Sequence, residues 1–261
     1  MRIVLINLER ATERYARMKE RFIACGLEFD YQKAIDWHDL TAHHHTLVDY
    51  DIVRRKSIRM QSGLLACWLS HRKVLLDLID NGPEMVTVLE DDVCFSPDLP
   101  EVLNRITELK RPFGIIFLYR GPTKRKFLPH FALNSDYRLG WLLFSNFGTQ
   151  GYVITREAAR HFLESSMPIC APIDLALASD WHHGLITYCL DPPVIHHCDR
   201  EKKQSFIRAG EAYGPKYKDL RAYLRQRWML LTEGFRQAKT FTALVLDAYR
   251  KGELSQPSKD R

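Results

Sequence analysis

An α/β fold with a mostly parallel central sheet and a C-terminal helical extension is what this 261-residue sequence predicts. Three observations carry that expectation. The chain opens strand–helix–strand, an apolar run at residues 85–89 leads straight into three consecutive acids, and a hydrophobic content of 46% is enough to bury one substantial core.

The elements follow in order. Ile3–Ile6 is a short apolar run that meets polar Asn7 and Glu9 too early for a signal peptide or a membrane span, so it reads as a buried strand. A helix follows from Thr12, a suitable N-cap, to Cys25, where Gly26 supplies the stop. Leu27, Phe29 and Tyr31 then alternate with polar residues, as in a second strand. Residues 36–61 are polar and irregular and read as an excursion from the sheet. Within them, His43, His44 and His45 suggest a loop more than zinc, because consecutive side chains diverge and no Cys or Glu partner has metal-site spacing. From Gly63 to Asp80 the periodicity is helical: Leu64, Trp68, His71, Leu75 and Leu78 share one face.

Met85–Leu89 forms the next strand, and Ser96-Pro97 opens a helix running to about Leu109. Ile115–Tyr119 is a further strand. The basic, aromatic segment 120–147, punctuated by Gly, Pro and Asn, reads as a long functional loop. Tyr152–Ile154 is a strand, Thr155 caps a helix through Leu163, and Ile186–Leu190 is a last strand before Pro192-Pro193. Beyond Gly214 the chain reads as helical and basic.

A net charge of +6 and a pI near 9.0 imply an anionic partner: nucleic acid, a membrane surface or a phosphorylated substrate. Charge alone does not choose among them. The six cysteines (Cys25, Cys67, Cys94, Cys170, Cys189 and Cys198) stand singly without C-x-x-C spacing in a chain large enough to need no covalent staples. They are expected as reduced thiols, which places the protein in the cytoplasm.

Glu90-Asp91-Asp92 is the most informative constellation. Acids where a buried strand emerges sit at the sheet edge where open α/β folds bind ligands, and hard ions such as Mg²⁺ or Mn²⁺ join carboxylates to substrate phosphates. The plain alternative is a solvated acidic turn. His71 reads equally as a hydrogen-bonded core histidine. His196-His197 is placed to close a metal site from the far end of the chain, and Arg10 and Arg14, just after the first strand, suit phosphate, ribose or base, although exposed helical arginines are common.

These residues together resemble glycosyltransferase family 25, the lipooligosaccharide biosynthesis glycosyltransferases related to collagen galactosyltransferases. Ile6-Asn7-Leu8 with Arg10 and Arg14 resembles the family's opening, and Ala34-Ile35-Asp36 its next block. Gly63, Cys67, Ser70 and His71 match a signature helix ending in Ser-His, and Leu89-Glu90-Asp91-Asp92-Val93 matches the acidic metal motif. Gly148-Thr149-Gln150-Gly151-Tyr152-Val153-Ile154, Pro172-Ile173-Asp174, Pro192-Pro193-Val194 and Ser205-Phe206-Ile207 resemble later blocks, so the match runs from about residue 2 to residue 207. One departure is visible: Leu64 stands where the signature helix usually carries glutamate.

The resemblance implies a GT-A-type nucleotide-sugar-binding domain over 1–210, with a basic helical extension over 211–252 and a polar tail over 253–261. It implies an inverting transfer of a hexose, galactose first and glucose next, from a UDP-sugar to a lipid-linked lipooligosaccharide or lipopolysaccharide acceptor. Mn²⁺ or Mg²⁺ is expected on Glu90, Asp92 and His196. Asn7, Leu8, Arg10, Arg14, Asp36, Ser70, His71 and Gln150 are expected at the donor. Asp91 and Asp174 are the expected catalytic acids, with Asp174 as the general base that takes the acceptor hydroxyl proton. The alternative for Asp174 is an N-cap for the helix that follows.

Arg120, Lys124, Arg125 and Lys126 suit a phosphorylated acceptor. The basic C-terminal stretch from Lys216 to Lys239, interleaved with Tyr213, Tyr217, Tyr223 and Trp228, suits peripheral attachment to an anionic inner membrane. A competing class is a non-catalytic nucleic-acid-binding or glycan-binding protein of the same fold, although no nucleic-acid motif is present and nucleic acid is not an expected partner. A nucleotidyltransferase or phosphohydrolase is a third possibility, without a Walker-type phosphate loop to support it.

Overall fold

The first strand, β1 (Arg2–Asn7), is buried along almost its whole length. Helix α1 (Thr12–Ala24) follows, and β2 (Asp30–Lys33) returns parallel to β1. The structure is a computed structural model that describes residues 1–56, 58, 60–120, 127–142 and 148–198, together with 212–213, 232, 239 and 242–243. Gly26, at φ 63°, ends α1 in the left-handed region that glycine adopts without cost. Thr12 lies inside the helix; the N-cap is Ala11, which makes no side-chain cap.

Residues 36–61 leave the sheet, but as ordered short pieces: a single 3₁₀ turn at Trp37–Asp39, α2 (Ala42–Thr46), α3 (Tyr50–Arg55) and β3 (Met60–Gln61). The histidine run is therefore helical and not a loop. His44 closes a capping box with Thr41, supplying the local bonds that hold so short a helix. The long α4 (Ser62–Asn81) then carries eleven buried residues, Trp68, His71, Leu75 and Leu78 among them.

Next come β4 (Met85–Glu90), β5 (Val93–Phe95), α5 (Leu99–Thr107) and β6 (Ile115–Phe117). Asp98 is the N-cap position of α5, and Ser96 braces the turn before it by accepting from the Asp98 amide at 3.2 Å. The segment expected as a long loop instead contains a hairpin, β7 (Phe127–Ala132) and β8 (Arg138–Leu142), which extends the sheet. Its polar punctuation marks the hairpin turn, where Asn134 Oδ1 accepts from the amides of Asp136 and Tyr137. Its aromatic residues are core: Trp141 stacks on His130 with ring centroids 4.4 Å apart. Residues 121–126 and 143–147 lie outside the described residues.

The chain continues through β9 (Gly151–Thr155), α6 (Arg156–Ser166), α7 (Ile173–Leu177), α8 (Asp180–His183), β10 (Thr187–Asp191) and β11 (Ile195–His197). Thr155 caps α6 as expected, accepting from the Ala158 amide. The strand order is β2-β1-β4-β9-β6-β10-β8-β7. Only β9 and β8 run against the rest, so six of the eight strands point the same way and the fold is α/β with a mostly parallel central sheet.

The period-2 alternation of strands divides the core between the two faces. Val4, Ile6, Val86 and Val88 pack with Trp68, Leu75 and Phe162 of α4 and α6 on one face. Ile3, Leu5 and Leu89 pack with Met18, Phe22, Val102 and Leu103 of α1 and α5 on the other.

One expectation about covalent chemistry is corrected. Cys94 on β5 and Cys198 just after β11 are disulfide-bonded, with Cα atoms 5.4 Å apart across a sequence separation of 104 residues. The antiparallel β5–β11 ladder, which pairs His196 with Cys94 and His197 with Val93, brings them together. A bond between such distant residues leaves no local spacing signal. Cys25, Cys67, Cys170 and Cys189 take no part in a disulfide.

The basic extension expected over 211–252, and the polar tail, lie almost wholly outside the described residues. Within the extension, β12 (Ala212–Tyr213) pairs antiparallel with β3.

Candidate functional site

The carboxyl ends of β1, β2 and β4 converge on one cleft, whose lining includes Leu8, Arg14, Asp36, Ser70, His71 and the triplet Glu90, Asp91 and Asp92. The three acids do three different things, because each leaves β4 in a different direction.

Glu90 is the last residue of the strand and is buried. Its Oε1 accepts from Thr149 Oγ1 and lies 3.3 Å from His71 Nε2, while His71 Nδ1 meets the Tyr152 hydroxyl at 2.9 Å. Burial on its own pushes a carboxyl up; here His71 and Thr149 outweigh it and hold Glu90 below the usual carboxylate range. A buried Tyr152–His71–Glu90–Thr149 chain thus keeps a negative charge at the cleft floor.

Asp91 turns back towards α1. Asn7 Nδ2 and Arg14 Nη1 each donate to it at 2.7 Å. Burial raises the Asp91 carboxyl, and Arg14 opposes that rise only in part. Both Asp91 oxygens are therefore engaged with the scaffold. Asn7 acts from below the acid, also donating to the Ala11 carbonyl.

Asp92 faces β11, where His197 Nδ1 lies 3.9 Å from its Oδ2 and the Tyr119 ring meets the His197 ring edge-on at 5.2 Å. The expected metal ligand His196 is exposed on the opposite face of the strand. Successive strand side chains alternate, so only one member of a His-His pair can turn towards Asp92, and it is His197.

The remaining expected donor residues divide into cleft wall and support. Ser70 accepts from the Ile35 amide at 2.8 Å and donates to the Ala66 carbonyl, fixing the chain that leads into Asp36. Asp36 accepts from Arg10 Nε at 2.5 Å and interacts with His38 Nδ1 at 2.7 Å. Burial alone raises the Asp36 carboxyl, but His38 and Arg10 bring it below its ordinary value. Gln150 contributes its backbone carbonyl, which accepts from the Glu90 amide at 3.1 Å.

Asp174 stands in the first turn of α7, where Pro172 and not Asp174 is the N-cap. Its Oδ1 accepts from the Leu175 amide at 2.8 Å. Burial raises its carboxyl, the Leu175 amide opposes this, and the charge of Glu90 raises it further.

Cys67, Thr149 and Tyr152 acquire roles that the sequence did not assign, and of the pair His196-His197 it is His197 that approaches Asp92. Two signals pointed to them: Cys67 and His71 are four apart on a helix, and His197 is the alternate of His196 on a strand. Among the described residues, Cys67, His71 and Glu90 form a group whose sulfur, nitrogen and oxygen atoms lie within 4.8 Å of one another.

An acid-lined cleft at the carboxyl ends of parallel strands defines an α/β protein of the ligand-binding type. Comparison with known proteins narrows that class. The sequence profile of glycosyltransferase family 25 (LPS biosynthesis protein) matches residues 1–177. The lacto-N-neotetraose biosynthesis glycosyltransferase LgtE of Neisseria meningitidis serogroup B is 30% identical over 203 residues, covering 72% of this chain and 67% of that one. A glycosyltransferase 25 family member of Drosophila pseudoobscura pseudoobscura is 27% identical over 179 residues, and procollagen galactosyltransferase 2 of Homo sapiens 25% identical over 173. These matches cover 62% and 60% of this chain, but each spans only 26% of the longer relative. The chain belongs to glycosyltransferase family 25.

Proposed function

We propose that this protein transfers a hexose, galactose first and glucose next, from a UDP-sugar to a lipooligosaccharide or lipopolysaccharide acceptor, with inversion at the anomeric carbon. The observation that carries this reading is the approach of His197 to within 3.9 Å of Asp92, which lines the cleft that Glu90 floors. That separation is too long for a hydrogen bond and suits two ligands of one ion. The carboxylate suits Mn²⁺ or Mg²⁺, with substrate phosphate oxygens completing the shell. When bound, such an ion supplies positive charge to the departing diphosphate.

The chain's own residues account for the rest. Arg10, at the surface beside Asp36, offers positive charge where a nucleotide would lie, while Arg14 is committed to Asp91. Asp174 acts as general base on the acceptor hydroxyl: with its proton affinity raised by burial and by Glu90, it is better matched to neutral pH than an exposed aspartate. Asp91 acts from behind by holding Arg14 and Asn7. The names of the relatives, lacto-N-neotetraose biosynthesis and procollagen galactosyltransferase, support galactose and a glycan acceptor.

The chain's +6 charge supports peripheral attachment to an anionic inner membrane, where a lipid-linked acceptor resides. No helix among the described residues is long and apolar enough to cross a membrane. The cytoplasmic placement loses the support it drew from six reduced cysteines, now that Cys94 and Cys198 are paired. The test of function is UDP release from a panel of UDP-sugars with and without Mn²⁺, in the protein and in Asp92→Ala. Metal-dependent turnover of one sugar, lost in the variant, is expected; no turnover and no metal-dependent donor binding would refute the proposal.

A further inference from the structure

We propose that Cys67, His71 and Glu90 form a second, thiophilic cation site in the cleft floor, which takes Zn²⁺ or Cd²⁺ and is distinct in chemistry from the pair Asp92 and His197. Cys67 and His71 are one turn apart on α4 and project to the same side, towards the end of β4 where Glu90 emerges. Their ligand atoms and that of Glu90 lie within 4.8 Å of one another, and His71 Nε2 is 3.3 Å from Glu90 Oε1. Tetrahedral zinc sets its ligand atoms roughly 3.3–3.8 Å apart, so a small side-chain rotation at Cys67 closes the set.

Two further observations point to a cation. The Tyr152 hydroxyl holds His71 Nδ1 at 2.9 Å and leaves Nε2 directed at Glu90, the outer anchoring that metal-binding histidines use. Burial, and after it the negative charges of Glu90, Asp174 and Asp92, push the Cys67 thiol well above its ordinary value, while Thr149 opposes them, so the thiol sits among carboxylates whose charge a cation would offset. Sulfur decides the selectivity: Mg²⁺ and Mn²⁺ favour oxygen, whereas Zn²⁺ and Cd²⁺ accept thiolate. Binding forms a sulfur–metal bond as the Cys67 S–H bond breaks, and the proton passes to solvent. Because all three residues line the cleft, a bound ion there would obstruct it.

The site stands or falls on metal binding, independently of the transferase reading. The full-length protein, freed of metal with a chelator, is titrated with Cd²⁺ while the ultraviolet thiolate-to-cadmium charge-transfer absorption is followed. The expected result is saturation at one ion per chain, retained in Asp92→Ala, weakened at least about tenfold in Glu90→Gln by loss of a ligand charge, and abolished in Cys67→Ser. No band, or an undiminished band in Cys67→Ser, would overturn the proposal, the latter by placing the ion on Cys25, Cys170 or Cys189. Alkylation of the unmutated protein keeps the question decidable if Cys67→Ser fails to fold. Zn²⁺ should protect Cys67 from the reagent, as read by mass spectrometry of its peptide, and equal labelling with and without Zn²⁺ counts against the site.

Discussion

Arg14 on α1 donates to Asp91 at 2.7 Å, and the two side chains are only 7% and 10% exposed. The pair fastens α1 to the acidic turn after β4 from inside the protein, so the position of the triplet depends on a helix far away in sequence. Removing one partner strands the other as a buried charge. Arg14→Ala should therefore cost about 3–5 kcal/mol in stability. The exposed pair Arg54 and Asp51 provides the contrast, and Arg54→Ala should cost less than about 1 kcal/mol. Urea denaturation of both variants checks this, and similar midpoints would contradict it.

His183 gives the stability a pH dependence. Its Nε2 donates to the Leu177 carbonyl at 3.1 Å and its Nδ1 accepts from the Leu185 amide at 3.1 Å, so the neutral ring is fully used and protonation breaks a bond. Burial is the main reason its pKa falls from 6.5 to about 4. The unfolded chain binds the proton more readily than the folded one, so this contribution to stability is complete above pH 6.5 and declines as pH falls towards 4. The loss reaches about 3 kcal/mol at the acid end. Thermal melting from pH 7 to pH 4 should show a steeper decline in the parent than in His183→Gln; parallel curves would exclude the mechanism.

The two adjacent histidines on β11 should behave oppositely. His197→Ala should raise the Mn²⁺ concentration needed for half-maximal turnover by roughly 10–100-fold, the range seen when groups around a metal are removed. His196→Ala should leave it unchanged, because that ring faces solvent. Metal titrations of UDP release decide between them, and a larger effect at His196 would reverse the assignment of faces.

Asp174→Asn keeps the shape and the acceptor oxygen that binds the Leu175 amide. It should reduce kcat about 10²–10⁴-fold, the usual contribution of general base catalysis, with the donor KM within about threefold, since catalysis and not ground-state binding is removed. The alkaline plateau of the pH–rate profile should disappear with it. A variant with full activity would leave Asp174 as a structural residue of α7.

Much of this was legible from residue patterns. The strand at 85–90, the helix at 62–81 and the Thr155 cap follow from periodicity and local hydrogen bonding, which act over a few residues. The segment at 120–147 reads as a loop because its Asn and Gly punctuation indicates a turn without indicating what the turn joins; only Trp141 and His130 stacking into the core reveal the hairpin at 127–142. The ranking of Glu90, Asp91 and Asp92 was equally hidden, since three adjacent acids look alike until each finds its neighbour.

By itself, then, the sequence determined the alternating strands and helices, the acidic turn at the carboxyl end of β4 and the family to which the chain belongs. These depend on short-range spacing, and spacing is written in the chain. Tertiary structure alone decided that His197 and not His196 faces Asp92, that Cys94 bonds Cys198, that Arg14 is spent on Asp91, and that Cys67 joins His71 and Glu90. Each of these is a contact between elements, set by strand register and helix packing, which become definite only when distant segments bury their apolar faces together.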